Sequence, residues 1–291
     1  MFAIVGTVPL EDFPLTCGDI TYKDGNIEIG DQAVPVTRGT SALMAAAIRT
    51  VEVLRRPAPV GYLVGDIGLG KGSRRLYRHL AEEALPGSSF RTITFHYLQP
   101  IIHWHERLQR VIAEKQPHPT LIADAGFMYV AKMSGQASRY DLFTPDMGEL
   151  AYLADEAAPH PFYTRGFILH DENRVEELVS RAYQNNNAAR FLLVKGKRDY
   201  LAHREGIIQT VHNPAVEAME AMGGTGDTLT GIVSALIDGG VKIEEAAAVA
   251  MKANRLAGYY AHPTPASQVL EVIKHIPKAL SEILSQKGTS A

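Results

Sequence analysis

The chain has 291 residues, of which 46% are hydrophobic, and this is enough to bury a large core. A formal net charge of −3 provides no basic surface for nucleic acid or for an anionic membrane, so we expect neither as a partner. The single cysteine, Cys17, excludes an intrachain disulfide and a cysteine metal cluster, as is typical of the reducing cytoplasm. Because no segment reaches the roughly 20 apolar residues of a spanning helix, we expect a soluble cytoplasmic protein.

The amino-terminal segment, residues 1–36, predicts a first strand followed by a hairpin. The opening FAIVGTV is apolar, and DITYKDGNIEIGDQAVPV alternates polar and apolar residues around Asp24 and Gly25. An Asp-Gly pair between alternating runs is a strong hairpin signal. We expect this hairpin at an edge of the sheet or as a lid.

The following part of the chain alternates between strand-like runs and helical stretches. Three apolar runs end at Gly or Asp, where a strand would meet a loop: PVGYLVGDIGLG, TLIADAGFM and ARFLLVKGK. Amphipathic stretches lie between the runs or close to them, namely ALMAAAIRTVEVLRR, IIHWHERLQRVIAEK and ENRVEELVSRAYQN. Repetition of strand and helix predicts an α/β fold with a parallel sheet covered on both faces.

No internal repeat and no low-complexity linker divides the chain, so we interpret residues 1–291 as a single domain. The proline- and aromatic-rich stretch at 158–166, with Tyr163 and Arg165, is interpreted as a structured loop. The last residues, 285–291, show no pattern and are expected to form a disordered tail.

The strongest motif is a glycine cluster that runs directly into an apolar helical stretch, EAMEAMGGTGDTLTGIVSALIDGG at 217–240. At a helix amino terminus, Gly224, Thr225 and Gly226 would present free backbone N–H groups to an anion, and the helix dipole would add to the attraction. Asp227 follows in the first turn. Its position leaves two interpretations open: a general base beside a transferred phosphoryl group, or a helix cap.

This motif resembles the glycine–aspartate signature of the ribokinase-like superfamily, and four other segments agree with it in order. They are GDIGLGKG (65–72), LIADAG (121–126), FTPDMGELAYLA (143–154) and LLVKGK (192–197). These resemble the GPGLG loop, the Asp-Ala-Asp strand end, the TPHxGE segment and the Lys-Gly strand end of the NAD(P)H-hydrate dehydratase family. The resemblance implies a ribokinase-like, three-layer α/β/α fold with a mainly parallel central sheet.

The resemblance also implies an activity: ATP or ADP phosphorylates the hydroxyl of hydrated NAD(P)H, and loss of phosphate then restores the nicotinamide ring. On this model Asp227 is the catalytic base, and an anion hole of Gly224, Thr225 and Gly226 holds the transferring phosphate. The residues expected to bind the nucleotide are Lys195, Gly196, Gly226 and Asn254.

The segment from Thr144 to Glu149 implies a magnesium ion, because its Asp-x-x-Glu stands where sugar kinases of the superfamily carry Asn-x-x-Glu. Glu149 is expected to bind Mg²⁺ through water. The same residues also match a helix start signal, and both interpretations are compatible. The residues expected to contact the substrate are Thr40, Gly68, Gly70, Asp124, Asp146 and Asp227. Where the dehydratases have histidine this chain has Asp146, which leaves the substrate open.

Three functions therefore remain as hypotheses: dehydratase repair of hydrated NAD(P)H, a kinase for a small alcohol, and a nucleotide-binding protein without turnover. The first two require a small-molecule substrate, and the resemblance implies a homo-oligomer. The stretch HYLQPIIHWHERL, with His96, His103 and His105, is interpreted as a half-buried amphipathic helix. Histidines two residues apart point to different sides of a helix, so we do not assign a zinc site to it.

Overall fold

The structure is a computed structural model that describes residues 1–157 and 174–288. The described strands are Phe2–Val8 (β1), Thr16–Lys23 (β2), Asn26–Ile29 (β3), Gln32–Pro35 (β4), Val60–Gly65 (β5), Thr92–His96 (β6), Thr120–Asp124 (β7), Leu142–Phe143 (β8), Phe191–Val194 (β9), Asp199–His203 (β10) and Gly206–Val211 (β11). The described α-helices are Thr40–Val53 (α1), Lys71–His79 (α2), Ile102–Ala113 (α3), Gly126–Met133 (α4), Met147–Ala154 (α5), Val175–Gln184 (α6), Ala218–Ala221 (α7), Thr225–Asp238 (α8), Ile243–Ala261 (α9), Val269–Ile273 (α10) and Ile276–Gly288 (α11).

The strands form one mixed sheet in the order β11-β10-β9-β8-β7-β6-β1-β5-β2-β3-β4. The six strands from β9 to β5 pair in parallel, and antiparallel strands extend the sheet on both sides. Because parallel strands end at the same edge, the loops after β1, β5, β6, β7, β8 and β9 meet at one side of the molecule.

Successive residues of the strands point to opposite faces, so the sheet separates two hydrophobic cores. Ile4 of β1 and Ile122 of β7 pack with α1, α8, α9, α10 and α11, whereas their neighbours Val5 and Ala123 pack with the helices from α2 to α6. Helices therefore cover both faces. This confirms the predicted three-layer α/β/α fold with mainly parallel central strands.

The amino-terminal segment forms the predicted hairpin. Lys23 pairs with Asn26, and the two residues between them, Asp24 and Gly25, both have positive φ values of 49° and 81°. This is the geometry of a tight two-residue hairpin turn, which favours an Asp-Gly pair. The hairpin lies at the edge of the sheet beside β5, which decides between the two positions expected for it.

Two segments were predicted from the sequence to lie outside helices and strands, the tail at 285–291 and the loop at 158–166. The predicted disordered tail at 285–291 is wrong for its first residues, because α11 continues to Gly288, and residues 289–291 lie outside the described part. The predicted loop at 158–166 also lies outside the described residues. Within the described ranges, the chain has no helix with the length and apolar character needed to cross a membrane.

Two glycines allow α1 and α8 to begin side by side at the carboxyl edge of the sheet. A Cβ atom on Gly231 of α8 would lie 2.3 Å from the carbonyl oxygen of Leu43 in α1, and one on Gly6 of β1 would lie 2.5 Å from Thr40. A residue with a side chain would push these elements apart. The close packing brings the start of α1 against Asp227.

Candidate active site

The amino terminus of α8 forms the predicted glycine-rich loop. Gly224 precedes the helix with φ 102°, a left-handed conformation that favours glycine. Thr225 and Gly226 begin the first turn, where N–H groups have no intrahelical acceptor and the helix dipole is positive. This arrangement presents backbone donors suited to a phosphate group.

Asn254 of α9 supports this loop from behind. Its amide nitrogen donates to the carbonyl oxygen of Thr225 at 3.0 Å, and its amide oxygen accepts from the hydroxyl of Thr228 at 2.7 Å. Because both ends of the amide are used and the residue is buried, Asn254 fixes the shape of the loop. Its contact with a nucleotide stays a prediction.

Asp227 lies in the first turn of α8, facing α1 and β6. Oδ2 accepts the N–H of Gly39 at 2.6 Å, and Oδ1 lies 3.0 Å from Nε2 of His96. Burial by itself would raise the pKa of Asp227, but the hydrogen bond and charge of His96, the charge of Lys195 and the Gly39 N–H outweigh it and hold the pKa below its usual range. Asp227 is therefore a carboxylate at neutral pH, the form that a general base requires.

Lys195 follows β9 and lies between Asp124 and the glycine-rich loop at 224–226. Its Nζ atom donates to both carboxylate oxygens of Asp124, at 2.8 and 2.9 Å. A Cβ atom on Gly226 would lie 3.4–3.6 Å from the end of the Lys195 side chain, so the ammonium group is beside the glycine loop. Burial would lower the pKa of Lys195, but the charges of Asp124, Glu149 and Asp227 raise it above its ordinary value. The site therefore holds a fixed positive charge where a phosphate would enter.

Asp124 is almost fully buried at the end of β7, behind Lys195. Besides the lysine, its Oδ2 atom accepts the hydroxyl of Thr230 at 2.7 Å, and its Oδ1 atom accepts the N–H of Ala125 at 2.8 Å. All of these partners belong to the protein. The structure thus gives Asp124 the position of a counterion for Lys195, and its predicted contact with substrate stays a prediction.

Asp146 and Glu149 form the start of α5 in the way that the helix start signal predicts. Asp146 is the residue before the helix, its Oδ1 atom accepts the N–H of Glu149 at 2.7 Å, and Glu149 Oε2 accepts the N–H of Asp146 at 2.8 Å. Tyr129 donates its hydroxyl to Glu149 Oε1 at 3.1 Å. Burial and the charge of Asp146 raise the pKa of Glu149 to about 8, although Lys195 opposes this shift. A carboxylate so destabilised would gain from a nearby cation.

The glycines of GDIGLGKG wrap around the carboxylate of Asp66. Gly68 and Gly70 have φ values of 99° and 74°, and their N–H groups donate to Asp66 Oδ1 at 3.0 and 2.9 Å. Ser73 donates its N–H and its hydroxyl to Asp66 Oδ2. These bonds fix the loop at the start of α2 and leave Leu69 exposed at its tip. Contact of Gly68 and Gly70 with a substrate remains a prediction.

Thr40 and Gly196 occupy supporting positions. The Thr40 side chain is buried and its hydroxyl lies between the carbonyl oxygen of Thr7 and the ring of His96. Gly196 donates its N–H to Asp199 at 3.2 Å and accepts from Arg255 at 2.9 Å. The predicted contacts of Thr40 with substrate and of Gly196 with nucleotide stay predictions.

Two residues that shape this site, His96 and Arg255, were not predicted from the sequence. The stretch that contains His96 was interpreted as a helix, and this is wrong for its first part, because His96 ends β6 and α3 begins only at Ile102. Arg255, next to Asn254, donates to Asp199 and to the carbonyl oxygens of Gly196 and Lys197, and so holds the loop after Lys195. For His96 the sequence does contain a signal: this histidine ends the apolar run TITFH, which is typical of a strand that ends at the edge of a sheet.

A histidine and two carboxylates that lie close together can also bind a metal ion. One ligand atom each from His96, Asp124 and Asp227 lies within 4.8 Å of the others. However, Asp124 already binds Lys195, and a divalent cation there would face the lysine ammonium group. We interpret this group as an ion-pair network. The other two histidines of the stretch, His103 and His105, lie on α3, away from it.

Comparison with solved structures defines the class of fold. The chain is similar to an ADP/ATP-dependent NAD(P)H-hydrate dehydratase from Bacillus subtilis, co-crystallised with ATP and Mg²⁺, with 16% identity, 97% of this chain and 89% of that chain covered, and a TM-score of 0.55. It is also similar to the tetrameric inhibited form of phosphofructokinase-2 from Escherichia coli, with 13% identity over 96% of this chain and 98% of that chain and a TM-score of 0.54. A pyridoxal kinase from Staphylococcus aureus, in complex with AMP-PCP and pyridoxal, shares 13% identity over 87% and 86% of the two chains with a TM-score of 0.53. The fold is ribokinase-like.

Sequence comparison narrows this class to a family. The model of the carbohydrate-kinase family, described as NAD(P)H-hydrate dehydratase, matches residues 99–278. An uncharacterized protein from Methanocaldococcus jannaschii is 41% identical over 243 residues, which cover 83% of this chain and 100% of the relative. The chain belongs to the carbohydrate-kinase family of NAD(P)H-hydrate dehydratases and is an enzyme of this family, as its sequence motifs predicted.

Proposed function

We propose that the enzyme uses ATP or ADP to dehydrate hydrated NAD(P)H. The observation that carries the proposal is the position of the Asp227 carboxylate, which hydrogen bonds from Gly39 and His96 fix in the first turn of α8, the turn that begins with the glycine-rich loop. A base and an anion site on one helix terminus suit transfer of a phosphoryl group to a hydroxyl. Membership of the NAD(P)H-hydrate dehydratase family supports hydrated NAD(P)H as the acceptor.

The first step of the proposed reaction is phosphorylation of the substrate hydroxyl. Asp227 takes the hydroxyl proton while the oxygen bonds to the terminal phosphorus, and the bond to the rest of the nucleotide breaks. The N–H groups of Gly224, Thr225 and Gly226 and the ammonium group of Lys195 stabilise the negative charge on the moving phosphoryl group. The C–O bond of the new phosphate ester then breaks, phosphate leaves with the bonding electrons, and loss of a ring proton restores the dihydronicotinamide.

Mg²⁺ fits the acidic side of the site. Asp146 and Glu149 offer carboxylate oxygens, the ligands that Mg²⁺ prefers, and burial together with the charge of Asp146 raises the pKa of Glu149, which favours a cation beside it. We propose that Glu149 holds the ion through water. When bound, Mg²⁺ would neutralise charge on the nucleotide phosphates.

The test is to mix the enzyme with hydrated NADH and either ATP or ADP and to follow the near-ultraviolet absorbance of the restored dihydronicotinamide ring. We expect recovery with at least one nucleotide and none without nucleotide. An Asp227→Asn variant serves as the control for contaminating activity. Absence of recovery with both nucleotides would refute the proposal.

A second candidate is a kinase for a small alcohol, in which the phosphate ester survives. It is favoured by Asp146, which stands where the dehydratases have histidine, and it shares the phosphorylation step. A panel of small alcohols with ATP separates the two: a stable phosphorylated product supports the kinase, and restored NADH with free phosphate supports the dehydratase.

A further inference from the structure

His96 lies at the centre of the site, although it belongs to none of the motifs that relate the chain to its family. Its side chain is fully buried at the end of β6. Nδ1 lies 2.9 Å from the hydroxyl oxygen of Thr40, and Nε2 lies 3.0 Å from Oδ1 of Asp227. The imidazole ring therefore bridges the start of α1 and the start of α8.

The partners of Thr40 determine the hydrogen on Nδ1. The Thr40 hydroxyl has one hydrogen and lies 2.8 Å from the carbonyl oxygen of Thr7, which can only accept. The hydroxyl satisfies both neighbours only if it donates to Thr7 and accepts from His96. Nδ1 of His96 therefore carries a hydrogen.

The carboxylate of Asp227 determines the hydrogen on Nε2. A bare Nε2 would place its lone pair against a carboxylate oxygen at 3.0 Å, with a second carboxylate oxygen, that of Asp124, at 3.8 Å. One hydrogen must therefore lie between His96 and Asp227. An imidazole is ordinarily a stronger base than a carboxylate, and the N–H that Gly39 donates to Oδ2 stabilises the ionised form of Asp227 further, so the hydrogen belongs to the ring.

We propose that His96 is a positioning residue, a doubly protonated imidazolium that fixes the catalytic carboxylate of Asp227 and neutralises its charge beside the phosphate site. The role in turnover rests on the proposed function. The imidazolium keeps both hydrogens throughout the reaction, and the proton of the substrate hydroxyl goes to Asp227. Neutralisation matters because a bare carboxylate at the mouth of the anion loop would repel the phosphates of the nucleotide.

The charged groups around His96 favour this state. Asp227 of α8 and Asp124 of β7 face the ring, and the Lys195 ammonium group binds both carboxylate oxygens of Asp124. The adjacent Tyr97 ring stands edge-on to the imidazole at a centroid distance of 4.2 Å, and the pKa of its hydroxyl is raised by burial and by the same acids. The two carboxylates carry two negative charges and the ammonium group carries one positive charge. A second positive charge, on the imidazole ring, therefore makes the net charge of the four groups zero.

His105 provides a matched control within the same stretch of chain. It is also fully buried, on α3, where Nε2 lies 2.8 Å from the hydroxyl of Tyr140 and Nδ1 lies 3.0 Å from that of Ser134. Burial and the charge of Arg139 lower the pKa of His105 to about 4, so it is a neutral imidazole at neutral pH. The two histidines thus differ in charge while sharing burial.

The first experiment is ¹⁵N–¹H NMR of the whole protein labelled at histidine, assigned with His96→Gln and His105→Gln. We expect both ring nitrogens of His96 to be protonated at neutral pH and one ring nitrogen of His105 to be bare. This measurement needs no substrate, so it decides the charge of His96 even if the proposed reaction fails. A neutral His96 ring would overturn the inference.

The second experiment is the pH profile of kcat/KM for the same variants. Glutamine retains a hydrogen-bond donor without the charge, so we expect the acid limb of His96→Gln to move up by about 1 pH unit or more, because Asp227 loses its cationic partner. His105→Gln should keep the acid limb of the wild type. An unchanged acid limb in a folded His96→Gln variant would overturn the positioning role.

Discussion

Asp227→Asn is the substitution that most directly separates chemistry from binding. The amide is nearly isosteric, and its oxygen retains the bond from the Gly39 N–H, so the first turn of α8 keeps its support. The nucleotide is expected to bind the backbone N–H groups of the glycine loop and Lys195, neither of which the substitution removes. What disappears is the ability to take a proton, together with the negative charge that faces Nε2 of His96.

The expected size follows from the contribution of a general base. Loss of such a group lowers the rate by about 10²- to 10⁴-fold, which corresponds to roughly 3–5 kcal/mol of transition-state stabilisation. We therefore expect kcat to fall within this range while the dissociation constant of ATP or ADP changes by less than about tenfold. Steady-state turnover and calorimetric nucleotide titration measure the two quantities on one preparation.

A matched control is Asp31→Asn, because Asp31 is exposed in the turn between β3 and β4. It should leave kcat and nucleotide affinity unchanged. If Asp227→Asn retained the turnover of the wild type, or lost nucleotide affinity as strongly as turnover, Asp227 would not be the base.

The remaining predictions concern the glycine-rich loop, the packing of β1 against α1, and the pKa of Glu149. Gly226→Ala should fold normally, because its Cβ meets only the Lys195 side chain at 3.4 Å or more, yet weaken nucleotide binding in a titration by blocking the approach of phosphate; unchanged affinity would exclude the loop as the phosphate site. Gly6→Ala should lower the free energy of unfolding by about 1–3 kcal/mol in urea melts, because its Cβ would lie 2.5 Å from Thr40; wild-type stability would contradict the packing argument. The free energy of unfolding of Glu149→Gln should rise relative to that of the wild type between pH 4.5 and pH 8, because the folded wild type holds a proton that the unfolded chain loses near pH 4.5. Urea melts without Mg²⁺ at several pH values test this. A difference that does not change with pH would show that the folded protein does not destabilise the Glu149 carboxylate.

Those features of the site that lie within one short segment were predictable from sequence. Gly224, Gly226 and Asp227 lie within four consecutive positions, so their spacing alone places them at one helix turn. Lys195 follows an apolar run, and parallel strands must end at a common edge, so its approach to the glycine loop also follows from the pattern. The fold class was predictable for the same reason, because strand and helix signals alternate locally.

Features that depend on long-range contacts were not predictable in this way. His96 and Asp227 are 131 residues apart, and their contact requires both the strand end and the packing of α1 against α8. The strand that carries His96 is only five residues long and is followed by Tyr97 at φ 53°, so the helical spacing of the next histidines concealed the boundary. Arg255 likewise looked like an ordinary helical residue until its three backbone acceptors were seen.

The bracing role of Asn254 shows a further limit. Its place after the glycine motif favours a nucleotide contact by resemblance, yet both ends of its amide bind the first turn of α8. A sequence pattern identifies polar residues near a site but does not tell which of them face the ligand and which face the scaffold.

The most direct test of the proposed reaction measures two products in one vessel, the restored dihydronicotinamide ring and inorganic phosphate. With hydrated NADH and limiting ATP or ADP, elimination predicts that both appear together in equal amounts and that neither appears with Asp227→Asn. Nucleotide consumed with a stable phosphorylated acceptor, or phosphate released without restored NADH, would contradict it.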